Sequence, residues 1–321
     1  NNKGKITIFK TIGEIKRDKG LSKLPQSTTA IGHTRWATHG GVTVNNAHPH
    51  ISTDNSFTLV QNGIVENFDI LKKQLQKKGH KFTTQTDTEV IVKLVEEELK
   101  TSKTFEDGLK KAFKLLEGRN TVVVMRTTGD ILAIRNGSPL VVGIDNQDVY
   151  IASDSLSFAP YTNKVILIDD YDFVKIINGE VSIHNILSKK EKKIEILTLK
   201  NVYTNIEKGK YDHFMMKEIV EQHETIKYAT QYTTKELVPL CSGIKQAHRV
   251  YVIGAGTAGF AAGQIAYYLR NIAHIDAQDV RSYEFKSYIP ILDRGDLIIA
   301  VSQSGETADT IEVLETVKAK G

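Results

Sequence analysis

Apolar residues along this chain follow two rhythms. Short β-rich runs at Ile6 to Phe9, Ile31 to Thr38 and Phe57 to Val60 predict early strands. A second series, Val122 to Met125, Ile131 to Ile134, Leu140 to Val142, Val149 to Ile151, Val165 to Ile168 and Val174 to Ile177, predicts more of them. Between the two series the spacing lengthens to a helical period at Phe68 to Lys77, Glu89 to Leu99 and Phe105 to Leu116, with Val90, Ile91, Leu94 and Val95 on one face. Asn178-Gly179 is a hairpin signal, because both residues tolerate positive φ. Strands and helices segregated in this way predict an α+β layered domain over residues 1–200.

Beyond residue 245 the elements alternate. Val250 to Ile253 reads as a buried strand, residues 260–270 as a helix and Leu297 to Val301 as another strand, so residues 246–321 predict a doubly wound α/β domain. Residues 201–245 join the two as a helical linker, and the Met215-Met216 pair within Phe214 to Gln222 reads as a buried helix face, the commoner use of such a pair, with a partner surface as the alternative.

Composition adds limits. The 321 residues exceed one ordinary core, and 40% hydrophobic with 25% charged residues is a globular balance. No run of about 18 apolar residues exists to span a membrane, and a single cysteine, Cys241, fits a reducing compartment, so the expected location is cytoplasmic. Cys241 itself reads as a small buried hydrophobe. The net charge is +4, and the lysine cluster at 189–193 has no interleaved aromatic residues, so no nucleic acid partner is expected. Asn1 is not an initiating Met, and the second domain carries few strand–helix units, from which further chain is expected at both ends.

Two loops in the second domain point to an anion. Ser302-Gln303-Ser304-Gly305-Glu306-Thr307 follows an apolar strand and offers several hydroxyls at the start of a helix. Gly254-Ala255-Gly256-Thr257-Ala258-Gly259 repeats the construction one unit earlier. That loop also matches G-x-G-x-x-G, with Asp276 downstream, so a dinucleotide-dependent oxidoreductase is an alternative reading. Together the loops resemble the sugar isomerase (SIS) domain. The resemblance implies that Thr257, Ser302, Gln303, Ser304 and Thr307 contact a sugar phosphate. Ala258 stands where family members with transferase activity carry a Ser, and a non-catalytic sugar-phosphate sensor is the second alternative.

The first domain concentrates different chemistry. In His33-Thr34-Arg35-Trp36-Ala37-Thr38-His39-Gly40, Arg35 offers a planar fork for a carboxylate. Asn62-Gly63 pairs an amide donor with a backbone N–H, as an oxyanion requires. Asp87 has the charge to hold an ammonium, or else caps the helix that follows. Together these groups suit an amino-acid amide. His33, His39, His48 and His50 match no common zinc spacing, so neither metal nor cofactor is expected.

Residues 35–40, Asn46-Ala47-His48-Pro49-His50, Asn62-Gly63, Thr86-Asp87-Thr88-Glu89, Gly137 to Leu140 and Ile151 to Asp154 resemble the glutaminase domain of the glutamine–fructose-6-phosphate aminotransferases, class II amidotransferases of N-terminal-nucleophile (αββα) fold. Lys217 to Gln222 resembles their interdomain segment. The resemblance implies glutamine and fructose 6-phosphate as substrates, glucosamine 6-phosphate and glutamate as products, and a homodimer. It places Arg35 on the glutamine carboxylate, Asp87 on its amino group, and Asn62 with Gly63 in the oxyanion hole. Thr38 and His39 line the same pocket, and Trp36 gates ammonia. The family nucleophile, an N-terminal Cys, has no counterpart in Asn1, and the family's second SIS lobe has none here, so this stretch by itself is expected to be inactive.

Overall fold

The computed structural model describes residues 4–13, 20–199, 208–303, 305 and 307–320. The chain divides into two compact units, Asn1–Ile206 and Glu207–Gly321.

In the first unit, β1 (His50–Ile51), β2 (Phe57–Gly63), β3 (Asn120–Arg126), β4 (Ile131–Asn136), β8 (Asp172–Ile177) and β9 (Glu180–Asn185) form an antiparallel sheet in the order β1-β2-β3-β4-β8-β9 among the described residues. A smaller antiparallel sheet runs β10-β7-β5-β6, from β5 (Val141–Ile144), β6 (Val149–Ala152), β7 (Lys164–Leu167) and β10 (Leu197–Thr198). Three α-helices, α1 (Phe68–Lys77), α2 (Asp87–Leu99) and α3 (Phe105–Lys114), accompany the sheets among the described residues, with short 3-10 turns at Leu21–Lys23 and Ser155–Ser157.

Strand alternation explains the layering. Val122, Val124, Leu132, Ile134 and Phe173 share one core with Val90, Val95, Leu109 and Ala112 of the helices. Their neighbours Val123, Ala133, Val174 and Ile176 enter a second core with Val142 and Ile166 of the small sheet. Successive side chains point to opposite faces, so a central strand covered on both sides reads as a continuous apolar run. The layers are therefore helix, large sheet, small sheet. Each fully buried aliphatic side chain contributes about 1.5–3 kcal/mol of transfer free energy.

Two predicted strands are absent. Ile6 to Phe9 and Ile31 to Thr38 carry no ladder among the described residues; the second is extended chain running past the cavity described below. The hairpin at Asn178-Gly179 joins β8 to β9, with φ of 51° and 81°. The hairpin signal implies a return strand, which is β9, but its polar Ser182, His184 and Asn185 hide the alternation that would have given its extent.

In the second unit, α4 (Phe214–Ala229) and α5 (Thr234–Gln246) precede a parallel sheet of order β12-β11-β13, built from β11 (Val250–Gly254), β12 (Ala277–Arg281) and β13 (Leu297–Ala300). Helix α6 (Gly256–Asn271) packs on Val250 and Val252, while α7 (Ala308–Lys320) packs through Val313 on the face of Tyr251 and Ile253. Helices on both faces of a parallel sheet are the doubly wound arrangement. Within this unit Met215 is 73% exposed and Met216 is 52% exposed, so the expected buried Met pair is corrected. Cys241 is likewise exposed, on α5, and not a buried hydrophobe. No helix among the described residues is long and apolar enough to cross a membrane.

Candidate active site

The candidate residues of the first unit come from three segments. Arg35, Trp36 and Thr38 lie on the extended loop, Asn62 and Gly63 end β2, and Asp87 opens α2. All six line one cavity of about 270 Å³. His39 sits at its margin, with Nδ1 3.9 Å from Asp87 Oδ2. Asn62 also faces a larger cavity of about 520 Å³, lined by Thr121, Leu140, Ile151 and Ser153.

Gly63 occupies its place for a steric reason. Its φ is +126°, and a Cβ there would lie 2.0 Å from the Arg119 carbonyl oxygen. The ladder also directs its N–H. Ile64 N donates to Arg119 O at 3.3 Å, so by antiparallel alternation the Gly63 N–H points away from β3, toward the edge beyond the end of β1. An N–H left off the ladder beside the Asn62 amide is the donor pair an oxyanion needs.

Asp87 is not the helix cap. Thr86 takes that role, accepting from the Glu89 N–H at 3.4 Å. Buried Asp87 instead accepts from the Val65 N–H at 2.9 Å, which fixes its carboxylate at the cavity wall. Arg35 donates from Nη1 to Gly41 O at 3.1 Å and from Nη2 to His39 O, so its guanidinium is tied to its own loop. Buried Asn46 ties that loop to the approach to α2, donating to Gly41 O at 2.9 Å and accepting from Gln85 N at 3.0 Å. Trp36 is 91% exposed, so no packing role in this unit accounts for it.

A hydrogen-bond chain not anticipated from the sequence links α2, β2 and β3 to His48. Thr88 Oγ1 donates to Gln61 Oε1 at 2.5 Å, so it accepts from His48 Nε2 at 2.9 Å. Gln61 Nε2 donates to Asn120 Oδ1 at 2.7 Å, and Asn120 Nδ2 to Ile64 O at 3.2 Å. This direction fixes the proton of His48 on Nε2 and leaves Nδ1 as an acceptor, buried without a partner. Thr88 follows Asp87, Gln61 precedes Asn62 and Asn120 pairs with Gly63, while His48 stands in one of the motifs that carry the resemblance; the hydrogen bonds among them left no further signal in the sequence.

The imidazoles are held neutral. Burial, then the neighbouring His33, lowers His48 to about 2; burial, then Lys10, lowers His50 to about 3. His33, whose ring lies 4.3 Å from that of His48, is lowered by burial and Arg35. The unfolded chain takes up these protons near 6.5, whereas the folded chain resists them until about 3 and below, so the folded state loses stability as pH falls through that window. Urea midpoints measured from pH 7 to pH 4 are expected to fall less steeply in a His48→Gln/His50→Gln variant than in the parent; equal slopes would contradict this. Among the described residues no group of three or more His, Cys, Asp or Glu side chains is placed to hold a metal ion.

In the second unit, Thr257 lies in the first turn of α6, and Ser302, Gln303 and Thr307 follow β13. Ser304 and Glu306 lie outside the described residues. Strands β11 and β13 are parallel neighbours, and Val301 N donates to Ile253 O at 2.8 Å, so both loops leave the same edge of the sheet. Ser302 Oγ accepts from Gly305 N at 3.0 Å, and Gly305 has a φ of +70°. Gly259 permits close packing: a Cβ there would lie 2.4 Å from Arg281 Nη1 and 3.0 Å from Gly254 O. Asp276 precedes β12, whose Ala277 pairs with Val250 at the start of β11. It therefore sits at the sheet edge opposite the glycine loop, roughly 16 Å away by strand rise, out of reach of a ribose bound there.

Comparison with known proteins accords with both halves. The glutamine amidotransferase domain family matches residues 33–159 and the SIS domain family residues 243–321. Three relatives, from Pyrococcus horikoshii (36% identical), Aquifex aeolicus (35%) and Thermus thermophilus (37%), are each named glutamine–fructose-6-phosphate aminotransferase [isomerizing]. The matches cover 98–99% of this chain and 53–54% of each relative. The chain thus spans about half the length of the curated relatives it matches. A solved structure described as the allosteric regulatory enzyme of purine biosynthesis matches at a TM-score of 0.43 with 25% identity, covering 48% of this chain and 34% of that one. The chain carries a region that matches the glutamine amidotransferase domain family ahead of one that matches the SIS domain family.

Proposed function

We propose that the protein carrying this chain transfers the amide nitrogen of glutamine to fructose 6-phosphate, giving glucosamine 6-phosphate and glutamate. The observation that carries the reading is the convergence of Arg35, Asn62, Gly63 and Asp87 on one cavity. Asp87 meets the α-ammonium and Arg35 the α-carboxylate, so the substrate is held at both ends of its backbone. The Asn62 amide and the Gly63 N–H face the carbonyl oxygen as it gains charge in the tetrahedral state. The attacking thiolate in this family comes from an N-terminal Cys. Thr38 completes the wall with His39 at its margin beside Asp87, and Trp36, exposed at the rim, guards the exit of ammonia. Thr257, Ser302, Gln303, Ser304 and Thr307 receive the sugar phosphate, with Ala258 leaving one contact to a backbone N–H. The relatives' names support both substrates; a homodimer in the cytoplasm is part of the same proposal.

Full-length protein supplied with L-glutamine and fructose 6-phosphate is expected to yield equimolar glutamate and glucosamine 6-phosphate. Ser302→Ala is expected to weaken fructose 6-phosphate about tenfold through the lost hydroxyl contact. Binding of the sugar with neither product would point to the sensor reading instead.

A further inference from the structure

Another cavity in the first unit, of about 580 Å³, shares no lining residue with the amide pocket. It lies between α3 with its preceding turn and the end of β9 with its following turn. Five of its eleven lining residues are lysines, against the single carboxylate of Asp107.

Some lysines of this unit are ion-paired and those of the cleft are not. Lys78, Lys93, Lys100 and Lys192 each meet a carboxylate within 3.2 Å. Among the described residues, Lys103, Lys110, Lys111, Lys114 and Lys189 form no ion pair. A helix C-terminus favours cations, which accounts for Lys111 and Lys114 in the last turn of α3. It does not account for Lys103, before that helix, or Lys189, which approaches from the turn after β9. Lys110 is drawn inward, with Nζ 4.7 Å from the Phe173 ring. Burial lowers its proton affinity; Asp107 and Glu106 counter this, and Lys175 and Lys114 add to it. His184 on the cavity wall is also lowered, by burial and then by Lys110 and Lys175.

An independent observation comes from Ser102. Its hydroxyl oxygen is buried without a hydrogen-bond partner, and the residue lines the same cavity. A hydroxyl left unpaired in a native fold calls for a ligand or water to satisfy it. A cleft lined by one sign of charge concentrates counter-ions, and several ammonium groups with a hydroxyl match the oxygens of linked phosphates.

We propose that this cleft binds a small polyphosphate anion, the linked phosphate groups of pyrophosphate or of a nucleoside di- or triphosphate. Lys110 and Lys114 of α3 meet the anion from one side, Lys103 and Lys189 from the others, and Ser102 donates its hydroxyl. The assignment stands apart from the glutamine reading, since no residue is shared.

Titration calorimetry of the chain with sodium pyrophosphate, at fixed ionic strength, tests it. One saturable site is expected, weakened about tenfold or more in Lys110→Gln/Lys114→Gln and severalfold in Ser102→Ala. A Lys77→Gln/Lys81→Gln variant, with the same change in charge elsewhere, is expected to bind as the parent does. Thermal unfolding of each variant checks that the fold is kept. ATP binding more tightly than pyrophosphate would identify a nucleotide as the source, and equal binding with none by adenosine would identify the phosphate chain alone; either supports the assignment. No saturable heat, equal competition by sulfate, or an equal loss in both double variants would overturn it.

Discussion

Gly63→Ala is expected to lower unfolding stability by about 3–5 kcal/mol, more than most single substitutions. The new methyl group would lie 2.0 Å from the Arg119 carbonyl oxygen and 3.0 Å from Asn120 Cα, at a φ of +126°. Those are backbone atoms of the paired strand, which cannot swing aside as a flexible side chain does. Relief requires opening the end of the β2–β3 ladder, and with it the donor pair of Asn62 and Gly63. Urea denaturation gives the loss directly. A change below about 1 kcal/mol would show that the strand end yields without breaking the ladder.

Asp87→Asn is expected to weaken glutamine binding by about tenfold to 150-fold, the equivalent of about 1.5–3 kcal/mol for a hydrogen bond to a charged group. The substitution isolates charge. An Asn carbonyl oxygen can still accept from the Val65 N–H, now 2.9 Å from the carboxylate, so the start of α2 stays anchored. Arg35→Ala is the less clean experiment, because Arg35 also holds the carbonyls of His39 and Gly41, and its loss would loosen the loop as well as the ligand. Calorimetry on Asp87→Asn, alongside its thermal unfolding, separates the two effects. An unchanged glutamine affinity in a folded variant would remove the ammonium contact from the account.

Much of this was legible because periodicity and burial agree. Helix α1 spans Phe68–Lys77 as its apolar spacing predicts, and the β3, β4 and β8 runs lie in the covered sheet. Where polar residues interrupt the pattern, the reading failed. Strand β12, with Gln278 and Asp279 exposed between buried Ala277 and Val280, was missed for that reason. Ile31 to Thr38 failed the other way, since β-forming residues there line a cavity and join no ladder among the described residues.

The candidate contacts were legible as types and spacing, but their support was not. Nothing in the sequence links His48 to Thr88, or Thr88 to Gln61, because a hydrogen-bond chain across a loop, a helix and a strand leaves no periodic trace. The choice between Thr86 and Asp87 as helix cap likewise depended on where Val65 presents its N–H. The exposed Met215-Met216 pair shows the same limit, since composition marks a surface as apolar without saying whether the unit itself covers it.

The central claim is that one cavity receives the amino-acid amide. Amide and side-chain NMR shifts recorded during titration with L-glutamine test it most directly. The account predicts a saturable set of changes centred on Arg35, Asn62, Gly63 and Asp87, with D-glutamine far weaker. Changes confined to other parts of the chain, or none at millimolar L-glutamine, would contradict it.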